Sequence, residues 1–454
     1  MSNNKSIAIL KDAPVGKALW YLSLPAVLTK LVGTVHNLID GIYVSHLNNN
    51  AMIAATTVAL PVVVVAEAIG EGIGVGTASY LGRLLGAKEE SKVEKLIATS
   101  MTLMFLVSTI LIVLCIAFLK PLISFFTDDP MVIQYAYDYL LILVGFSIFT
   151  IAKQILAHML RAGGDVNYPM AIIVSSVFIN VILNPIFMFD FGFGLKIKGA
   201  AIATVLAEVF ASLALFYRIM YKDDLIKWKL GSFALCKDSI QEIVNVGIPV
   251  FIRNSLSSLS YGLFAKSAGM FGTDFLAASG LARKGEYFSR FVIMGVAQGY
   301  QSFAAYNYGA KNKQRLLDGL KMSLKFTIGY GILMGAFFFF FPQVFMYLLT
   351  SDEILITYGT QILVGYSISI PFVAIYQIFA YNFQALGKGK LSFLSSVLRQ
   401  GIVYCPLVML LPRVLGMMGI VVVQPICDFC SAMTVLILSI PIYKEIQQMN
   451  GHVE

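Results

Sequence analysis

Long apolar runs, interrupted by short polar stretches, fill this chain from about residue 17 to residue 443. A helix needs about 20 mostly apolar residues to cross the hydrocarbon core of a bilayer. Taking the breaks as loops, the pattern predicts about twelve such spans. They fall at 17–44, 52–79, 93–119, 131–160, 168–190, 198–220, 239–270, 274–306, 317–344, 354–383, 391–412 and 417–443. Several exceed the minimum length, which implies tilt or extension into water. The opening stretch Met1–Lys17 is polar, carries Lys5, Lys11 and Lys17, and lacks a short apolar core followed by a small-residue cleavage site. A cytoplasmic tail over 1–16 is expected there.

Composition agrees with the pattern. Only 13% of the residues are charged, against 58% hydrophobic, whereas soluble domains carry roughly 25% charged residues to cover their surface. The net charge of +8 raises a nucleic-acid partner, and its distribution argues against one. Arg83, Lys88, Lys92 and Lys95 lie between spans 2 and 3; Lys222, Lys227, Lys229 and Lys237 between spans 6 and 7. Lys311, Lys313 and Arg315 follow span 8, and Lys388 and Lys390 follow span 10. The alternate loops hold few basic residues, mainly Lys120, Lys196, Lys198 and Arg413. The positive-inside rule then places both termini in the cytoplasm of an inner-membrane protein. No aromatic-basic motif for nucleic acid accompanies these residues. The pair Cys427 and Cys430 lies inside an apolar run and reads as packing, since buried cysteine behaves as a small hydrophobe.

The chain repeats itself. An offset of 223 residues pairs Gly72 with Gly295, Gly76 with Gly299, Ser79 with Ser302, Gln154 with Gln377 and Gly164 with Gly387. The heptapeptide ILVGFSI at 142–148 returns as ILVGYSI at 362–368, and Pro25 returns as Pro249. Six spans per half make the repeats parallel, related by an axis along the membrane normal. The expected organisation is an N-terminal six-helix lobe (17–220), a cytoplasmic linker (221–237), a C-terminal six-helix lobe (238–443) and a cytoplasmic tail (444–454). Pro25 and Pro249 can bend the first helix of each half, because proline removes a backbone hydrogen bond.

Ionisable groups inside a membrane are expensive and point to function. The first half holds Lys30, Asp40, Glu67, Glu71, Lys153 and Glu208. Asp40 sits near the end of span 1, four residues after His36 and so on the same helix face. Asn180 and Asn184, also four apart, lie in span 5, and Thr204 lies in span 6. A carboxylate, two amides and a hydroxyl can make a proton site or a hard-cation site, with sodium as the candidate metal ion. Glu67 and Glu71 share a face of span 2. Counting depth from the span ends predicts two interhelical pairs, Lys30–Glu67 and Lys153–Glu71. The second half holds Lys266, Arg283, Lys284, Glu286, Arg290, Arg399 and Asp428. Arg283 and Glu286, three apart, are placed to pair along one helix. Asn37, Gln154 and Gln377 are further candidates to line a substrate cavity, with His36, Lys30, Glu67, Glu71, Lys153, Arg283, Glu286 and Arg399.

LSLPAV, NLIDGIYVSHL, GVGTASYLGRLLGAK, RAGGDVNYPM, NVILNPIF with KGAAIAT, QGYQSFAAYNYGAKN, QALGKGK and LRQGIVYCPLVMLLP together resemble the multidrug and toxic compound extrusion (MATE) family, in its DinF-like and MepA-like bacterial branch. The resemblance covers about the whole chain. It implies an all-α integral membrane protein with two pseudo-symmetric six-helix bundles in a V-shaped array. It implies export of bulky, often cationic or amphipathic compounds, driven by entry of protons or sodium. It assigns the cation site to Asp40, Asn180, Asn184 and Thr204. One position departs: relatives commonly carry an acid where NPIF places Asn184. One carboxylate instead of two compensates a metal ion less well, which favours protons through Asp40.

No cofactor is expected beyond the coupling ion. The expected partners are a small organic substrate and membrane lipid, with the carrier a monomer. A lipid-linked precursor flippase, or an exporter of one specific metabolite, is the alternative on the same fold. A membrane-embedded transferase would need clustered aspartates on a cytoplasmic loop to hold magnesium, and Asp223–Asp224 stand alone. No phosphate-binding loop is present to couple ATP.

Overall fold

The computed structural model describes residues 2–47, 49–222, 226, 228 and 232–449, which are helical nearly throughout. A short helix, α1 (Ser2–Lys11), leads into α2 (Val15–Ser45), α3 (Asn50–Ala87) and α4 (Glu90–Ser124). Next come α5 (Pro130–Gly145), α6 (Ser147–Ala162), α7 (Asn167–Met188) and α8 (Lys196–Tyr217). The second half runs through α9 (Lys237–Gly269), α10 (Thr273–Gly309), α11 (Lys313–Phe340), α12 (Pro342–Tyr347) and α13 (Glu353–Ala385). It ends with α14 (Gly389–Ser396), a π-helical stretch Val397–Tyr404, α15 (Cys405–Leu415) and α16 (Met417–Gln448).

Among the described residues nine helical segments are long and apolar enough to cross a membrane, and α5 with α6 makes a tenth. Helices α9 and α10 have the length but not the hydropathy, because Arg253, Lys266, Arg283, Lys284, Glu286 and Arg290 interrupt their apolar faces. With these two the array matches the expected set of about twelve. Helix α4 shows what surrounds the protein. Its most apolar window is only 17% buried, and Leu106, Ile110, Val113, Leu114 and Phe118 point outward. Only lipid suits such a surface, so the chain is a multi-pass membrane protein.

Local chemistry sets the helix limits. Asn49 accepts from the Ala51 and Met52 amides to start α3. Asp129 and Asp352 cap α5 and α13 at corresponding places in the two halves. The span read as continuous over 131–160 is broken: α5 and α6 meet at a 47° bend. Gly145 and Ser147 flank the break, and such pairs are a common cause of kinks. The same motif in α13 lies within one unbroken helix. There Gly365 packs directly on Val421 of α16, whereas nothing lies within 4 Å of a Cβ added at Gly145.

Two compact units divide the described residues. One is Met1–Ile9 with Leu28–Gly247, and the other is Leu10–Val27 with Ile248–Glu454. The sequence-derived boundaries gave each half its own first helix. The beginning of α9 belongs to the first unit, where Gly76 of α3 leaves room for the Ile243 backbone. The corresponding part of α2 belongs to the second unit, where Gly299 of α10 receives Ser23. Any side chain at either glycine would strike that backbone. The division falls two residues after Pro25 in α2 and two before Pro249 in α9. The expected linker is partly structured against the first unit. Trp228 is buried, stacks edge-on with Phe216 and Phe233, and donates to the Ser232 carbonyl at 2.9 Å. Helix α16 runs to Gln448, past the expected end of its span.

Candidate functional site

The first unit brings five sequence-nominated residues together. Asn184 Nδ2 donates to Asp40 Oδ1 at 2.7 Å and stands 2.8 Å from the Asn180 amide. Asn180 in turn reaches Thr204 Oγ1 at 3.2 Å. His36 Nε2 lies 3.2 Å from the other carboxylate oxygen, Oδ2. One turn of helix separates His36 from Asp40 on α2, and another separates Asn180 from Asn184 on α7, so each helix presents two groups on one face. Both asparagines are 1% exposed, and their amides form the floor beneath a half-buried carboxylate. The side chain of Asn37 lies outside the described residues.

The orientation of the Asn180 amide is tied to the charge on Asp40. With its oxygen toward Asp40, it accepts from Asn184, but two oxygens then face each other at 3.0 Å. That contact holds only if Asp40 carries a proton to donate. Turned over, the amide nitrogen donates to Asp40 Oδ1 at 3.0 Å, while its oxygen accepts from Thr204 Oγ1 at 3.2 Å and Thr204 N at 3.3 Å. This second arrangement gives an ionised Asp40 a donor from Asn180, with His36 Nε2, 2.9 Å from that nitrogen, as an acceptor; Asn184 Nδ2, 2.8 Å away, then has to turn as well. The amide orientations and the charge on Asp40 are therefore linked.

Deeper in the same unit, Lys153 Nζ of α6 bonds Glu208 Oε1 of α8 at 2.5 Å. The sequence paired Lys153 with Glu71; the structure gives Lys153 to Glu208, and Glu71 has contacts of its own. Among the described residues Lys30 and Glu67 form no ion pair, and Glu67 stands exposed midway along α3. Gln154 lines the close approach of α3 to α6, within 3.1 Å of a Cβ built at Gly70. It packs the helices together.

The second unit has its own charged centre. Arg399 Nη2 bonds Asp428 Oδ1 at 2.7 Å, and Gln424 Nε2 bonds Oδ2 at 2.7 Å. Arg290 bonds Glu286 through Nε at 2.8 Å and lies 3.9 Å from Asp428. Asp428 is fully buried and Arg399 is 5% exposed, stacked 4.7 Å from the Tyr376 ring centroid. The expected Arg283–Glu286 pair does not form: Glu286 pairs with Arg290, one turn along α10. Arg283 lies among rings instead. Gln377 is buried on α13 beside Tyr376. Sequence reading named Arg290 and Asp428 only as charges and gave no role to Gln424. The clue to Asp428 was its position in the repeat. Lys196 and Gly416 both take positive φ at the start of the last helix of each half, and that register pairs Glu208 with Asp428 and Thr204 with Gln424.

Comparison with known proteins follows the same two halves. The MatE family profile matches residues 25–186 and again 249–410. The multidrug export protein MepA of Staphylococcus aureus (strain NCTC 8325 / PS 47) is 26% identical over 455 residues, covering 96% of this chain and 96% of its own length. MepA of Staphylococcus haemolyticus (strain JCSC1435) is 26% identical over 431 residues, with 94% of each chain covered. Among solved structures, a multidrug resistance MATE family transporter of the MOP superfamily in an outward-facing conformation superposes with a TM-score of 0.92 at 22% identity, over 98% of this chain and 99% of that one. A MOP superfamily transporter from Pyrococcus furiosus, described as having a binding pocket of reverse polarity, superposes with a TM-score of 0.90 at 23% identity, with the same coverage.

Proposed function

The chain belongs to the MatE family of membrane transporters, and on that premise we propose that it is a proton-coupled antiporter exporting amphipathic, often cationic organic compounds. The export of drug-like compounds is extended to it from the MepA relatives. The observation that carries the choice of ion is at Asp40. Both carboxylate oxygens are met by nitrogen, from Asn184 at 2.7 Å and His36 at 3.2 Å. A sodium site needs several oxygens converging on one point; here the second acid of the family pattern is an amide that donates. Asp40 takes a proton from outside and releases it inside, while the Asn180 amide turns to follow the charge. Thr204 anchors that amide in either orientation.

Transport proceeds by alternating access, with both termini on the cytoplasmic side of the cell membrane. Pro25 and Pro249 are the hinge points, since the two units divide beside them. One chain carries both units, so a monomer is the complete carrier. The test uses proteoliposomes loaded with ethidium under an imposed proton gradient or an imposed sodium gradient. Wild type should respond to the proton gradient alone, and Asp40→Asn to neither. Transport driven by sodium alone would overturn the reading.

A further inference from the structure

We propose that Arg283 is the centre of an anion-binding site in the second unit, built to take the carboxylate of a planar organic compound or the phosphate of a lipid headgroup. This inference is independent of which ion drives transport.

Guanidinium groups do not give up their proton, so each one within the membrane requires compensation. The two neighbouring carboxylates are committed elsewhere. Glu286 bonds Arg290 at 2.8 Å, and Asp428 bonds Arg399 at 2.7 Å. Among the described residues no carboxylate lies within ion-pair distance of Arg283. Two of its nitrogens, Nε and Nη1, are buried without any protein acceptor.

Rings hold the guanidinium. Its central carbon lies 4.5 Å from the Phe264 centroid, 5.0 Å from Tyr261 and 5.7 Å from Tyr287. Cation–π attraction steadies the charge against a ring face, but it leaves in-plane N–H groups unsatisfied. A buried donor without an acceptor costs about 1–3 kcal/mol. An anion at the guanidinium edge would satisfy these donors and neutralise the charge together. The exposed ring of Tyr261 suits an aromatic body next to that anion, while Tyr287 is already stacked on Phe291. Access is available: Tyr261 is 51% exposed, and Arg283 itself is only partly buried.

The repeat adds a second line. Asp40 stands fifteen residues after Pro25, and Phe264 fifteen after Pro249. At the level where the first unit presents a carboxylate to a cation, the second presents a ring backed by a guanidinium. The two sites have opposite polarity.

The experiment titrates purified full-length protein in phosphatidylcholine nanodiscs by calorimetry. One arm compares 1-naphthoate with 1-naphthamide, which has the same shape without the charge. The other compares nanodiscs with and without phosphatidylglycerol, reading lipid retention after dilution. Each arm uses wild type, Arg283→Gln and Arg283→Lys, with thermal melting as the folding check. Wild type should bind one anion at least about tenfold more tightly than Arg283→Gln, with Arg283→Lys between them. Preference for naphthoate over naphthamide identifies an organic carboxylate; retention of phosphatidylglycerol identifies a headgroup. Equal binding of both anions by wild type and a folded Arg283→Gln overturns the proposal. If Arg283→Gln fails to fold, Arg283→Lys decides: it should weaken the anion and leave the amide unchanged, and no selective weakening overturns the site. Ethidium transport measured on the same proteins reports the coupling reading separately.

Discussion

The two halves share a fold and a repeat, yet the carboxylates at one repeat position, Glu208 and Asp428, have partners of different kinds. In the first unit, Asp40 is surrounded by amides and a histidine, and Glu208 is bonded to Lys153. In the second, Asp428 and Glu286 are bonded to Arg399 and Arg290. Lysine and histidine can lose their charge and an amide has none, whereas arginine keeps its charge throughout. On the proposed mechanism the charge at Asp40 changes during a cycle. At Asp428 the arginine keeps its charge, and the Arg399–Asp428 pair ties the π-helical stretch Val397–Tyr404 to α16. Coupling is proposed for Asp40 in the first half, and a structural role for the Arg399–Asp428 pair in the second. The repeat places Glu208 and Asp428 at the same position, so the difference lies in the partner that each carboxylate has acquired.

The largest effect should separate these roles. Asp40→Asn should reduce proton-driven ethidium transport at least about 100-fold, yet leave thermal stability within about 1 kcal/mol, because the amide replaces a half-buried carboxylate of the same shape. Asp428→Asn should do the reverse. It strands the buried Arg399 and should cost about 3 kcal/mol or more of stability, read by melting of the purified protein. Replacing both members with apolar residues, Arg399→Met with Asp428→Leu, should recover much of that loss. If Asp428→Asn melts like wild type but no longer transports, the second unit is a coupling site after all.

A gain of function sharpens the comparison. Asn184→Asp restores the second acid of the family pattern and should let a sodium gradient drive transport that wild type does not show. Lys153→Met should cost about 1–2 kcal/mol, recovered in part by also changing Glu208→Gln. The smallest effect concerns Cys236, ahead of α9. The Ser239 backbone amide and hydroxyl hold its thiol below the usual value. Its thiolate is then present above that lowered value and lost as pH falls through it, so maleimide labelling should be a few-fold faster near neutral pH than for a free thiol. Labelling of intact cells only after permeabilisation would support a cytoplasmic location for this segment.

Much of this was legible in the chain. Apolar run lengths gave the spans, and the repeat gave the two halves. Spacing of four residues placed His36 with Asp40 and Asn180 with Asn184 on common faces, so their meeting is a matter of helix geometry. Partner choice among the buried charges was not legible. Counting from helix ends fixes the depth of Lys153 but not the direction in which it points, and Glu208 and Glu71 both lie within reach of that depth. Glu286 had an arginine on either side along α10, at three and four residues; only packing of Arg283 among Phe264, Tyr261 and Tyr287 decides for Arg290. The bend at Gly145 depended on what failed to pack there, which a repeated motif cannot reveal.

The most direct test of coupling through the first unit is proton release on substrate binding. Purified protein in weakly buffered detergent solution near neutral pH would be mixed with ethidium while a pH dye reports the solution. Wild type should release up to about one proton per bound dye, Asp40→Asn none, and the apolar replacement of Arg399 and Asp428 as many as wild type. Release from Asp40→Asn equal to wild type would contradict the account, because the proton would then reside elsewhere.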